Sequence, residues 1–135
     1  MQIPDAARRL MEQGRTVALA TCTRSAVPNV VPMLQYWWHG EDQLVIGDLF
    51  IRATRRNVQE NGWVSLSVWD EDSGEAYKFV GSAVYETSGL AYDLANRRLH
   101  QRKPQMDFKG VVVIAVKEVY DAARGENAGR LIAGD

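Results

Sequence analysis

"PNVVPMLQYWWHGEDQLVIGD", residues 28–48, carries two prolines inside what otherwise reads as a strand, followed by a turn and a second strand. Proline has no N–H to give to a ladder. Pro28 and Pro32 therefore place the stretch from Pro28 to Trp38 on a sheet edge, at a bulge, or where its other side faces something besides a strand. "HGED" (39–42) closes a hairpin onto "QLVIGD" (43–48), where Leu44 and Ile46 alternate with Gln43 and Val45. A hairpin pairs its strands antiparallel, and that sets the sense of the sheet.

Working outward, "TVALATCT" (16–23) is a short β-like run that reaches Pro28 through the turn "RSAV". Before it, Pro4 to Gln13 has the spacing of an amphipathic helix, with Ile3, Ala7, Leu10 and Met11 on one face and Gly14 as its end. On the other side, "ATRRNVQENG" (53–62) has helical spacing, with Thr54 as the expected N-cap and Gly62 as the stop. "WVSLSVWD" (63–70) alternates cleanly: Val64, Leu66 and Val68 lie on one face, Trp63, Ser65, Ser67 and Trp69 on the other. "EAYKFVGSAVYET" (75–87) reads as a long strand bent at Gly81. Ser88 is placed to cap a helix running to Arg98 or beyond, and "GVVVIAVKEVYD" (110–121) is a last, buried strand. The tail after residue 121 reads as irregular. About six strands follow one another mainly through hairpins, with three helices around them, which favours an antiparallel barrel with appended helices over a parallel sheet. No linker divides the 135 residues, so one domain is expected.

Apolar residues make up 46% of the chain and charged residues 24%, an ordinary globular balance. A formal net charge of −1 gives no global pull toward nucleic acid or a membrane surface, so any anion site is local. One cysteine, Cys22, excludes an internal disulfide and reads as a small buried hydrophobe in "VALATCT". The start of the sequence lacks the apolar core of a signal peptide, and the apolar block "VVVIAV" is too short to cross a bilayer. A cytoplasmic location is expected. His39 and His100 stand apart from any metal-ligand spacing, and His39 reads as a turn residue. No nucleophile or metalloprotease motif is present, so no catalytic side chain and no metal ligand is assigned. Any reaction would belong to a cofactor.

The place for one is "IGDLFIRATRRNV" (46–58), where a strand passes to a helix with three arginines close by. A solvated helix face explains Arg55 and Arg56. A helix N-terminus flanked by Arg52, Arg55 and the Thr54 hydroxyl also suits an anion. The cluster Tyr36, Trp37 and Trp38 is equally open between core packing and a ligand surface.

The order of these pieces resembles the pyridoxamine 5′-phosphate oxidase-like family of flavin-binding split barrels, in its branch of small members. "VALATCTRSAVPNVVPM" (17–33), "LVIGDLFIRATRRNVQENGWVSLSVWD" (44–70), "YKFVGSAVYETSG" (77–89) and "VKEVYDAARGENAGRLI" (116–132) carry the resemblance. It implies a six-stranded antiparallel split barrel with short flanking helices, a homodimer, and flavin mononucleotide (FMN) at the subunit interface. By the same resemblance the isoalloxazine ring lies along Pro32, Met33, Leu34 and Gln35. The loop Asp48, Leu49, Phe50, Ile51 and Arg52 contacts ring and phosphate, with Thr54, Arg55 and Asn57 from the helix. Ala53 stands where family members often carry Lys or Arg, and Arg52 is the nearest replacement. The resemblance makes an FMN-dependent oxidoreductase or electron-transfer protein the leading expectation, with donor and acceptor open. "GRLIAGD" does not resemble the basic C-terminal segment of a true pyridoxamine phosphate oxidase. A deazaflavin would call for further basic residues, and haem for an axial His or Tyr. A sensor that has lost its flavin is the remaining alternative.

Overall fold

The computed structural model describes residues 1–49 and 51–134. Its order is α1 (Asp5–Glu12), β1 (Val17–Cys22), β2 (Pro28–Met33), β3 (Tyr36–His39), β4 (Gln43–Asp48), α2 (Ala53–Glu60), β5 (Trp63–Trp69), β6 (Ala76–Glu86), α3 (Leu90–His100), β7 (Gly110–Asp121) and β8 (Leu131–Gly134). Every pairing is antiparallel.

The sheet runs β2-β1-β5-β6-β7-β4-β3, with β8 added to the far end of β7. Its two outermost strands, β2 and β3, are consecutive in sequence. Leu34 and Gln35 alone join Met33, which pairs with Val17, to Tyr36, which pairs with Ile46. Three Cα steps span no more than about 11 Å, so the sheet must curl until its edges nearly meet. The Gly47 N–H donates to the Gln35 carbonyl at 2.8 Å and stitches the join. This is a split barrel.

Pro28 and Pro32 lie on the edge strand β2, where a missing N–H costs no ladder bond. The expected single strand from Pro28 to Trp38 is instead two, because the chain changes pairing partner at Leu34 and Gln35. The six expected strands thus become eight. The other addition is β8, in a tail expected to be irregular: its exposed residues give no burial pattern, and pairing with β7 alone orders them.

Alternation places Leu19, Leu66, Ile46 and Ile114 inside the barrel, where Leu10 and Met11 of α1 plug one end. A second apolar cluster forms outside it. There Ala95 and Leu99 of α3 and the ring of Phe108 pack on Val45, Val111 and Val113. Strands β4 and β7 are therefore buried on both faces, which accounts for the unbroken apolar run in β7. Gly81 sits at a register shift of β6 against β7, the expected bend, where any Cβ would collide with the Ala115 carbonyl.

Two caps differ from expectation. Gly89, with φ 102°, precedes α3 where Ser88 was expected to cap it, because the chain enters that helix through a left-handed backbone only glycine adopts cheaply. Arg52, not Thr54, holds the N-cap position of α2. His39 closes β3 opposite Gln43 and is not in the turn itself. Among the described residues no helix is long and apolar enough to cross a membrane.

Candidate functional site

A cavity of about 380 Å³ opens between the edge of β2 and the start of α2. Pro32, Met33, Leu34 and Gln35 wall one side, and Leu49, Ile51, Arg52 and Thr54 the other. Eight of the sequence-derived candidates therefore come together. Val31, Gly47 and Ala53 complete the lining. Phe50 lies outside the described residues.

The start of α2 has no side-chain cap. Its first N–H groups thus keep the positive end of the helix dipole turned toward the loop, beside the exposed Arg52. Thr54 is in the first turn and buried. Its hydroxyl accepts from Asn29 Nδ2 at 3.1 Å and keeps its own O–H to donate. The Thr21 hydroxyl receives Asn29 Nδ2 at 3.3 Å and Asn57 Nδ2 at 3.0 Å. Asn57 is 1% exposed, and its Oδ1 has no partner among the described residues. It supports the floor of the loop and does not line the cavity. Asn29 was not among the candidates, although an asparagine within a strand is itself a signal, being depleted there.

Asp48 is fully buried at the end of β4, and its work is internal. Oδ1 accepts from the Ile51 N–H at 2.9 Å, and Oδ2 accepts a short hydrogen bond from the Tyr85 hydroxyl. Its carbonyl receives the Lys109 N–H at 2.8 Å. This acid shapes the loop from beneath. Burial, and then the bond to Asp48, push the Tyr85 hydroxyl well above its ordinary pKa. Arg55 turns away from the cavity and stacks its guanidinium 4.5 Å from the Tyr85 ring centroid. Tyr85 was invisible in the sequence because strand alternation alone accounts for an aromatic there. Cys22 is half-buried, with Asn61 Nδ2 3.0 Å from its sulfur. Neither histidine lines this cavity: His39 closes β3, and His100 pairs with Asp107 at 2.7 Å. No group of three or more potential metal ligands gathers among the described residues.

The class of protein is thus an antiparallel split barrel with a mixed cavity at its seam and an uncapped helix start at the rim. The sequence pattern of the pyridoxamine 5′-phosphate oxidase family matches residues 3–123, and the chain belongs to that family. A relative, the uncharacterized protein MJ0282 of Methanocaldococcus jannaschii, is 31% identical over 91% of this chain and 83% of its own. HupZ of Group A Streptococcus superposes with a TM-score of 0.83 at 24% identity, covering 95% of this chain and 100% of that one. An FMN-binding protein of Syntrophomonas wolfei gives 0.77 at 17% identity over 89% and 86% of the two chains. The fold also occurs in an F420 reductase, at 0.67 and 23% identity over 87% and 98% of the chains. The haem storage protein HutZ of Vibrio cholerae gives 0.66 at 16% identity over 91% and 97%.

Proposed function

We propose that the cavity at the β2–α2 seam binds FMN and that the protein is an FMN-dependent oxidoreductase or electron carrier. The observation that carries this is one cavity with the end of β2 on one side and the uncapped start of α2, with Arg52, on the other. Pro32 and Met33 at the end of edge strand β2, with Leu34 and Gln35 of the join, give the ring a surface to lie against. The free N–H groups of α2, Arg52 and the Thr54 hydroxyl suit the phosphate. The size lies within the range of about 300–1,000 Å³ usual for small-molecule sites. Arg52 lines the cavity although it stands one place before Ala53, so the position of the charge is compatible with the task. Bound flavin would supply electron and hydride transfer. The chain's own part is to orient the ring, hold the phosphate and exclude water.

Deazaflavin and haem are the second reading, since proteins of this fold include an F420 reductase and a haem storage protein. The lining favours flavin over haem: among the described residues no His, Cys or Tyr lines the cavity.

A homodimer is part of the same proposal. On the outer side of the sheet, Val30 of β2, Ala18 and Ala20 of β1, Ser65 and Ser67 of β5 and Ser82 of β6 share one face by register, with Trp63 beside them. Val30 is 64% exposed, Trp63 59% and Val84 58%. A face of small and apolar side chains beside the cavity suits a second copy that would roof the flavin. The free thiol is compatible with a reducing cytoplasm.

The test is a visible spectrum of the purified protein and a titration of FMN by its fluorescence. A two-band oxidised-flavin spectrum or stoichiometric quenching is expected. Arg52→Ala with Thr54→Val should weaken FMN by about tenfold or more without unfolding the protein. Unchanged affinity in that double variant would remove the assigned seat.

A further inference from the structure

A second cavity, of about 650 Å³, begins at the same Leu34 and Gln35 and extends along β3 between α1 and the end of α3. Its lining includes Trp37, Arg98 and Arg102. Trp37 is held by an edge contact with Phe108, ring centroids 5.8 Å apart, and the Arg98 guanidinium lies 5.6 Å from its centroid. Arg98 stands in the last turn of α3 and Arg102 just beyond its end, and both reach the same cavity. Arg102 Nη2 donates to Gln35 Oε1 at 2.6 Å, which fixes that guanidinium and leaves the Gln35 amide N–H groups to donate. Among the described residues neither arginine has a carboxylate partner. Glu12, the one acid of the lining, is already engaged by Arg8 at 3.5 Å.

An aromatic plane with two uncompensated guanidinium groups beside it is complementary to a flat ring carrying a negative group. We propose that this cavity binds a planar aromatic carboxylate, with its ring on Trp37 and its carboxylate between Arg98 and Arg102. The binding does not require flavin, so it stands or falls apart from the preceding proposal.

Naphthalene-2-carboxylate is the probe, titrated into the full chain without added FMN and followed by tryptophan fluorescence and calorimetry. Naphthalene-2-methanol is the neutral comparator. Saturable binding is expected, with the carboxylate about tenfold or more tighter than the alcohol and weaker at high salt. The double variant R98Q/R102Q should lose that tenfold advantage while its melting temperature and its affinity for the alcohol stay unchanged. Both residues are exposed, so the variant should fold. No saturable binding, equal affinity for acid and alcohol, or an undiminished advantage in R98Q/R102Q would each overturn the proposal.

Discussion

The Asp48 carboxylate is fully buried with both oxygens engaged, so removing it strands the half-buried Tyr85 hydroxyl and a backbone N–H together. Asp48→Ala should cost about 2–5 kcal/mol in a denaturant melt. Asp48→Asn should cost less than half of that: its oxygen still accepts from Ile51, and the Tyr85 hydroxyl can accept from its amide. Equal losses would mean that the charge, and not the hydrogen-bond pattern, holds the loop. Tyr85 adds a pH dependence. Its pKa is raised by folding, so its contribution is complete below the unfolded tyrosine value of about 10 and is lost as pH climbs from there. Stability should therefore fall above about pH 10, and less steeply in Tyr85→Phe. Identical slopes for the two proteins would reject the assignment. None of this network could be read in the sequence. Asp48 follows a run of apolar residues and looks ready to face a ligand, and only the register that sets Tyr85 beneath it reveals an inward-facing acid.

Elements were legible where a single periodicity governed them. Trp63 to Trp69 is one clean alternation because it has one buried face, and Gln43 to Asp48 ended where its turn residues said. Legibility failed where the chain changes partners without changing composition, at Leu34 and Gln35, and where pairing alone orders a segment, at β8. The candidate cavity was legible as a stretch, since β2 and the α2 start do meet around it. It was less so by residue, because Arg55 and Asn57 point elsewhere. The bend at Gly81 was visible because glycine inside a strand is seldom idle. Gly81→Ala would push a methyl group into the Ala115 carbonyl, and neither backbone can yield without breaking the β6–β7 ladder. A loss of about 1–3 kcal/mol is expected in a thermal melt. An unaffected melting temperature would show that the bulge relaxes freely.

For the whole molecule, the proposed dimer rests on the exposed face of β2, β1, β5 and β6. Trp63→Glu should turn a particle of twice the chain mass, measured by light scattering, into one of single mass, because a charge buried in a dimer face has no partner there. A wild-type protein already of single mass would refute the dimer. The two-residue join of β2 to β3 has a consequence for how the fold assembles. Strands adjacent along the chain stand at opposite ends of the ladder, so hairpin zipping cannot complete the sheet in sequence order. The pairing of β1 with β5 encloses more than forty residues, since Ala20 meets Ser65, and nothing local recompenses that loop entropy until β3 and β4 have found β7. Folding should consequently be slow for the chain's length and all-or-none, with the seam the last part to set and the first to open.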